Sequence, residues 1–163
     1  MLKRCLPWAA VLALGFAVLT RPGFAETASG SKMPSRCSSP DKACMQKIWK
    51  AWATLDPANV APYYAEGPGT FYDVAPLKYG SWAEYEEGVK NVLANYRSAS
   101  LTVNDDAVVH PHGDTAWGTA TIKEDPILKD GKHEMGTFRW TVIWEKRNGK
   151  WLVVHDHTSE PLQ

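Results

Sequence analysis

The chain has 163 residues, with 18 Lys and Arg against 18 Asp and Glu, so it carries no formal net charge. That length holds about one domain, and the lack of a basic cluster argues against nucleic acid or an anionic membrane surface as partner. Its eight Trp are large side chains that either fill a core or line a pocket.

Lys3 and Arg4 precede a nearly unbroken apolar run from Pro7 to Leu19, and Gly23-Phe24-Ala25 offers small residues at the two positions a signal peptidase reads. This is the three-part pattern of a secretory signal, and the run is shorter than the roughly 20 residues a bilayer span needs. We therefore expect a cleavable signal at residues 1–25 and a periplasmic or secreted product. Cleavage would remove 25 of the 163 residues with Lys3, Arg4 and Arg21, leaving 138 residues with 15 basic and 18 acidic groups, a net charge of −3. No membrane partner is expected after that cut. Cys37 and Cys44 remain, and an even pair in an exported chain reads most simply as a structural disulfide.

Residues 26–38 are rich in Ser, Thr, Gly, Lys and Pro and read as a flexible tail before a domain at 39–163. Ser39-Pro40-Asp41 predicts a helix start with Ser39 as cap. Met45, Ile48, Trp49, Trp52 and Leu55 then form one apolar stripe at helical spacing. Asp56-Pro57 caps a short second helix to about Tyr64, with Pro62 forcing a kinked or 3₁₀ turn. After the break at Gly67-Pro68-Gly69, residues 70–73 predict a strand. Ser81-Trp82-Ala83-Glu84 is a capping box that opens a third helix striped by Trp82, Tyr85, Val89, Val92, Leu93 and Tyr96.

From Ser98 the period changes to strands at about 99–110, 115–124, 134–147 and 150–159. Asp130-Gly131 and Asn148-Gly149 mark hairpin turns. Helices first and an antiparallel meander afterwards predict an α+β fold, a curved antiparallel sheet packed on three N-terminal helices. No Gly-rich strand-to-helix loop is present for phosphate binding, and no cofactor is expected.

The segment from Arg139 to Ser159 resembles the last hairpin of SnoaL-like domains, in the nuclear transport factor 2-like superfamily. The likeness rests on Gly149-Lys150-Trp151, then Leu152-Val153-Val154, then His155-x-His157-x-Ser159. It is also similar to the association domain of calcium/calmodulin-dependent protein kinase II. Asp56, Tyr63-Tyr64-Ala65, Phe71-Tyr72-Asp73 and Gly80 fit the helical half and first strand of the same family, so the resemblance covers about 43–161. It implies a cone enclosing a pocket, and a homodimer through the outer face of the sheet. Isomerases, cyclases, dehydratases, ligand binders and oligomerisation modules share this fold, which alone does not choose among them.

The turn at Asn148-Gly149 decides which side chains of the last strand face inward. A two-residue type I′ turn would set Val142 opposite His155; a type I turn with a bulge at Gly149 would set it opposite Val154. The resemblance favours the bulge, because the kinase association domain has pocket residues at the positions of Val142 and Thr158. Trp140, Val142, Trp144, Leu152, Val154, Asp156 and Thr158 would then face inward. Arg139, Thr141, Trp151, Val153, His155 and His157 would face out. The kinase domain's arginines, at the positions of Ile122, Val142 and Thr158, are absent here. The pocket therefore reads as aromatic and apolar with one or two acids, suiting a neutral or cationic organic molecule.

Asp73 is the candidate general base, since the resemblance places a base aspartate of the ketosteroid isomerase branch at about this point. Asp156 is the candidate second carboxylate, which could separate an acid from a base in one apolar site. Tyr63, Tyr72, Trp82, Trp140, Val142 and Thr158 are the ligand-binding candidates, with Tyr63, Tyr64 or Tyr72 able to polarise an oxygen. His110-x-His112 and His155-x-His157 each set two imidazoles on one strand face, but neither has an obvious third ligand, His133 being unplaced, and no metal is expected. The leading expectation is a small-molecule-binding domain. An isomerase or cyclase using Asp73, and an oligomerisation module with a vestigial pocket, are the alternatives.

Overall fold

The computed structural model describes residues 37–73 and 76–161. The expected signal and nearly all of the expected tail lie outside the described residues. Helix α1 spans Lys42–Trp52, and its cap is Asp41 rather than Ser39: the Asp41 carboxylate accepts from the Cys44 amide at 2.7 Å. Ser39 instead donates its hydroxyl to Asp41 at 2.8 Å. An aspartate with extended backbone one residue before the first turn satisfies an otherwise unpaired amide and carries charge suited to the helix dipole. Cys37 and Cys44 are disulfide-bonded, tying the preceding segment to the first turn of α1.

Two 3₁₀ turns follow, Pro57–Asn59 and Ala61–Tyr63, the first capped by Asp56 on the Ala58 amide. Helix α2 spans Trp82–Leu93. Ser81 caps it through the Glu84 amide, while the Glu84 carboxylate reaches back to the Gly80 amide at 2.8 Å, one residue beyond the usual capping-box partner.

The strands are β1 (Pro68–Tyr72), β2 (Tyr79–Ser81), β3 (Tyr96–Val103), β4 (Val108–His112), β5 (Thr115–Leu128), β6 (Gly136–Arg147) and β7 (Lys150–Ser159). They form one curved, unclosed sheet in the order β2-β1-β7-β6-β5-β3, with β4 also on β5. The sheet is mixed: β1 runs parallel to β7, while the other pairs are antiparallel. The single strand expected at 99–110 is two, both on β5. Asp106 interrupts them by taking the Thr121 amide and hydroxyl onto its own carboxylate.

The last hairpin has both devices weighed from the sequence, in different places. Asn148 (φ 51°) and Gly149 (φ 75°) make a two-residue turn with both residues left-handed, and Arg147 pairs with Lys150. The bulge lies further on, at Val154, which is skipped between the pairs Trp144–Val153 and Ile143–His155. Val142 therefore lies opposite Asp156, not Val154 or His155. Before the bulge the inward residue is Val153, correcting the expectation for Leu152 and Val154; beyond it Asp156 and Thr158 are buried.

The core lies between α1 and the concave face. Small inward residues on β5 (Ala116, Gly118, Ala120) stand beside large ones on β6 (Trp144, Val142, Trp140). A Cβ on Gly118 would stand 2.6 Å from the Met45 methyl and 2.9 Å from the Val108 carbonyl oxygen, so glycine there lets α1 settle onto the sheet. Gln46 fixes the register of α1 on the edge, donating to the Leu101 carbonyl and accepting from the Val103 amide. No helix among the described residues is long and apolar enough to cross a membrane.

Candidate functional site

Beyond the packed floor the helices and sheet diverge around a cavity of about 360 Å³. Trp49, Trp52 and Leu55 from α1 and Tyr85, Val89, Val92 and Leu93 from α2 form one side; Tyr96, Ala99, Leu101, Pro126 and Phe138 come from the sheet. Thr158, Asp73, Glu124 and Glu160 complete the wall. The walls are therefore aromatic and aliphatic, and the charged lining residues are all acidic.

Asp73 follows the end of β1, half-buried, and Thr158 donates its hydroxyl to the Asp73 carboxylate at 2.9 Å. The parallel pairing of β1 with β7 creates this contact, setting Tyr72 beside His157 one residue earlier. Thr158 itself is buried.

Asp156 lies behind the cavity wall, 1% exposed. The Tyr64 hydroxyl donates to its Oδ2 at 2.6 Å and the Trp140 indole at 3.4 Å, while Oδ1 has no hydrogen-bond partner among the described residues. Burial raises its carboxyl to about 7, and the charge of Asp73 adds to the rise, against the lowering effect of the Tyr64 and Trp140 hydrogen bonds. Tyr64 is raised well above the ordinary phenol value, first by burial and then by the Asp156 charge. It also accepts from the Trp52 indole at 3.4 Å. Tyr64 thus serves Asp156 and cannot at once polarise a ligand.

Among the ligand-binding candidates, Thr158 lines the cavity and the others lie elsewhere. Trp140 and Val142 are packed in the floor, each no more than 1% exposed, with Trp49 of α1 edge-on to Trp140 at 5.2 Å. Trp82 packs against Tyr64 with ring centroids 4.5 Å apart and planes tilted by 32°, and Tyr63 is buried in the 3₁₀ segment. Tyr72 stands on the outer face between His155 and His157, at ring distances of 5.6 and 5.4 Å. The cavity tyrosines are Tyr85 and Tyr96. Tyr85 holds its proton firmly, first through burial and then through the charges of Asp156 and Asp73.

The residues missed from sequence are Tyr85, Glu124 and Glu160. Glu124 had a findable signal: it follows Ala120 and Ile122 at every second position of β5, so a charged residue stands in line with the buried face. No group of three or more metal-ligating side chains occurs among the described residues.

A curved sheet wrapped on helices around a pocket is the fold of nuclear transport factor 2-like proteins, and solved structures of that class superpose on this chain. A nuclear transport factor 2-like protein from Salmonella enterica serovar Typhimurium has a TM-score of 0.65 at 18% identity, covering 75% of this chain and 92% of its own. A candidate calcium/calmodulin-dependent protein kinase II association domain from Xanthomonas campestris gives 0.63 at 26% identity, with 72% and 82% covered. A candidate dehydratase of the same class from Streptomyces avermitilis gives 0.63 at 15%, with 71% and 90% covered. Within this class the chain belongs to the SnoaL-like domain family, whose model matches residues 42–163. No curated protein matches the chain.

Proposed function

We propose that this domain binds a small, largely apolar organic molecule in the cavity between its helices and sheet. The observation that carries the reading is the cavity itself: about 360 Å³, walled by aromatic and aliphatic side chains, in the size range of small-molecule sites. Native mass spectrometry of protein purified from its source tests it, a co-purifying small molecule being the expected result. Ala99→Phe, which fills the cavity from β3, should remove that molecule while leaving the fold intact; retention of the molecule would place it elsewhere.

We place the protein in the periplasm or outside the cell, as a homodimer. The sequence pattern of residues 1–25 supports export, and the Cys37–Cys44 bond suits an oxidising compartment. The outer sheet face supports the dimer: Trp117 is 47% exposed with His110 stacked on it, and Tyr72 is 36% exposed. The likeness to a kinase association domain points the same way. Sedimentation of Trp117→Glu against the parent chain checks the face, a shift to monomer being expected.

A second reading is enzymatic proton transfer at carbon, as in isomerisation or cyclisation. It is favoured by Asp73, which faces the cavity while Thr158 holds one oxygen in place. Asp73 would take the proton and Tyr85, a protonated phenol in the same wall, would donate to the oxygen that gains charge. The assay is Asp73→Asn against carbonyl and polyketide-like substrates: turnover should fall at least 100-fold, and unchanged turnover disposes of Asp73 as base. An oligomerisation module with a vestigial pocket fits less well, because the cavity is open and chemically differentiated.

A further inference from the structure

The cavity's charge is one-sided. Asp73, Glu124 and Glu160 line it, and no Lys, Arg or His does so among the described residues. Arg139 donates instead to the Glu160 backbone carbonyl at 2.7 Å, and Lys132 pairs with Glu134 at 3.3 Å. Glu134 further accepts from Tyr96 at 3.1 Å. The Glu124 side chain has no hydrogen bond or ion pair among the described residues. It folds over Gly136, where a Cβ would stand 2.8 Å from its Oε1, so the strand opposite makes room for this carboxylate rather than for an apolar side chain.

From these contacts we infer that the cavity selects an organic cation, an amine or quaternary ammonium on an apolar body, whose charged head lies between Glu124 and Glu160. The inference rests on the ligand-binding reading and specifies the ligand's class. Two acids beside an aromatic wall are unfavourable when empty, because each raises the other's cost of ionisation in a partly desolvated site. The Glu124 carboxyl is indeed pushed up, first by burial and then by the charges of Glu160 and Glu134. A ligand cation removes that repulsion, and the faces of Trp49, Trp52, Tyr85 and Phe138 add cation–π attraction around it. An anionic ligand would meet Glu124 and Glu160 in a lining that holds no basic side chain among the described residues. A neutral one would leave the repulsion in place.

The experiment uses three probes with one apolar body: 4-phenylbutylammonium, 4-phenylbutanol and 4-phenylbutanoate, titrated calorimetrically into the protein at neutral pH and low salt. The ammonium should bind at least tenfold more tightly than the alcohol, with the carboxylate weakest. Replacing both acids, Glu124→Gln with Glu160→Gln, should bring ammonium and alcohol within about threefold of each other while the alcohol keeps its affinity. An alcohol or carboxylate that matches the ammonium overturns the cation inference and leaves the ligand-binding reading standing. A preference that survives in the double variant overturns the role of Glu124 and Glu160. Binding of none of the three at millimolar concentration by folded protein overturns the ligand-binding reading and this one with it. Should the double variant fail to fold, the three probes on the parent chain decide.

Discussion

The concave face of the sheet is one surface with two fates. Toward the end of the sheet where Thr115 pairs with Glu145, β5 presents Ala116, Gly118 and Ala120 beside Trp144, Val142 and Trp140 of β6, and Met45 of α1 reaches onto Gly118. Small against large leaves no room. Further along, Ile122 still faces the larger Phe138, but Glu124 faces Gly136, so the size pattern reverses at that pair. The cavity opens there. Trp49 joins the two regions, edge-on to Trp140 at 5.2 Å and to Phe138 at 5.0 Å. A cavity in this fold thus needs no special device beyond a lapse in complementary side-chain volume.

The division can be broken most severely at its floor. Trp140→Ala should destabilise the domain by about 3–5 kcal/mol in urea unfolding. Phe138→Ala, which enlarges an existing cavity, should cost less than half as much. Equal losses would mean that the two regions are packed alike.

The carboxylates sharpen the same contrast. Asp156, in the floor, has its carboxyl raised from 3.8 to about 7, so between those values the native state holds a proton that the unfolded chain has released. Stability conferred by this group is complete below the lower value and is lost as pH rises through the upper one. Asp156→Asn should therefore match the parent near pH 4 and exceed it at pH 8, by at most on the order of 4 kcal/mol. Denaturant midpoints at the two pH values measure this; a variant no more stable at pH 8 would deny the buried charge its cost. At the cavity, Glu124→Gln should give the same sign with only about a few tenths of a kcal/mol, since solvent reaches it.

Between these effects falls the disulfide. Reducing Cys37–Cys44, which closes a loop seven residues apart, should lower stability by about 2 kcal/mol. The melting temperature with and without reductant reports it. The effect should fall on α1 and hence on the floor first.

How far the sequence foretold this follows from where each signal is stored. Periodicity is local, and it located both α-helices, the 3₁₀ segment bent by Pro62 and the last three long strands. The cap moved by two residues because Ser39 and Asp41 are both competent and only packing chooses between them. The pairing of β1 with β7 joins Thr70 to His155 across 85 residues of chain and leaves no local trace, so the parallel step was invisible. At the site, Asp73 and Thr158 were reached through resemblance. Trp140 and Val142 were assigned to the pocket because parity tells which face a residue occupies, but not whether a helix lies against it there.

The skipped residue Val154 has a consequence for what lengths of chain this fold accepts. Strand β7 carries one residue more than its partner needs between Lys150 and His155. A single deletion within that interval can be absorbed by straightening the bulge, leaving Asp156 against Val142 and Thr158 against Trp140. The same deletion at His157 has no such slack and would turn Thr158 away from Asp73. The hairpin is thus tolerant of shortening on one side of the bulge and intolerant on the other, an asymmetry that deletion scanning along β7 would trace residue by residue.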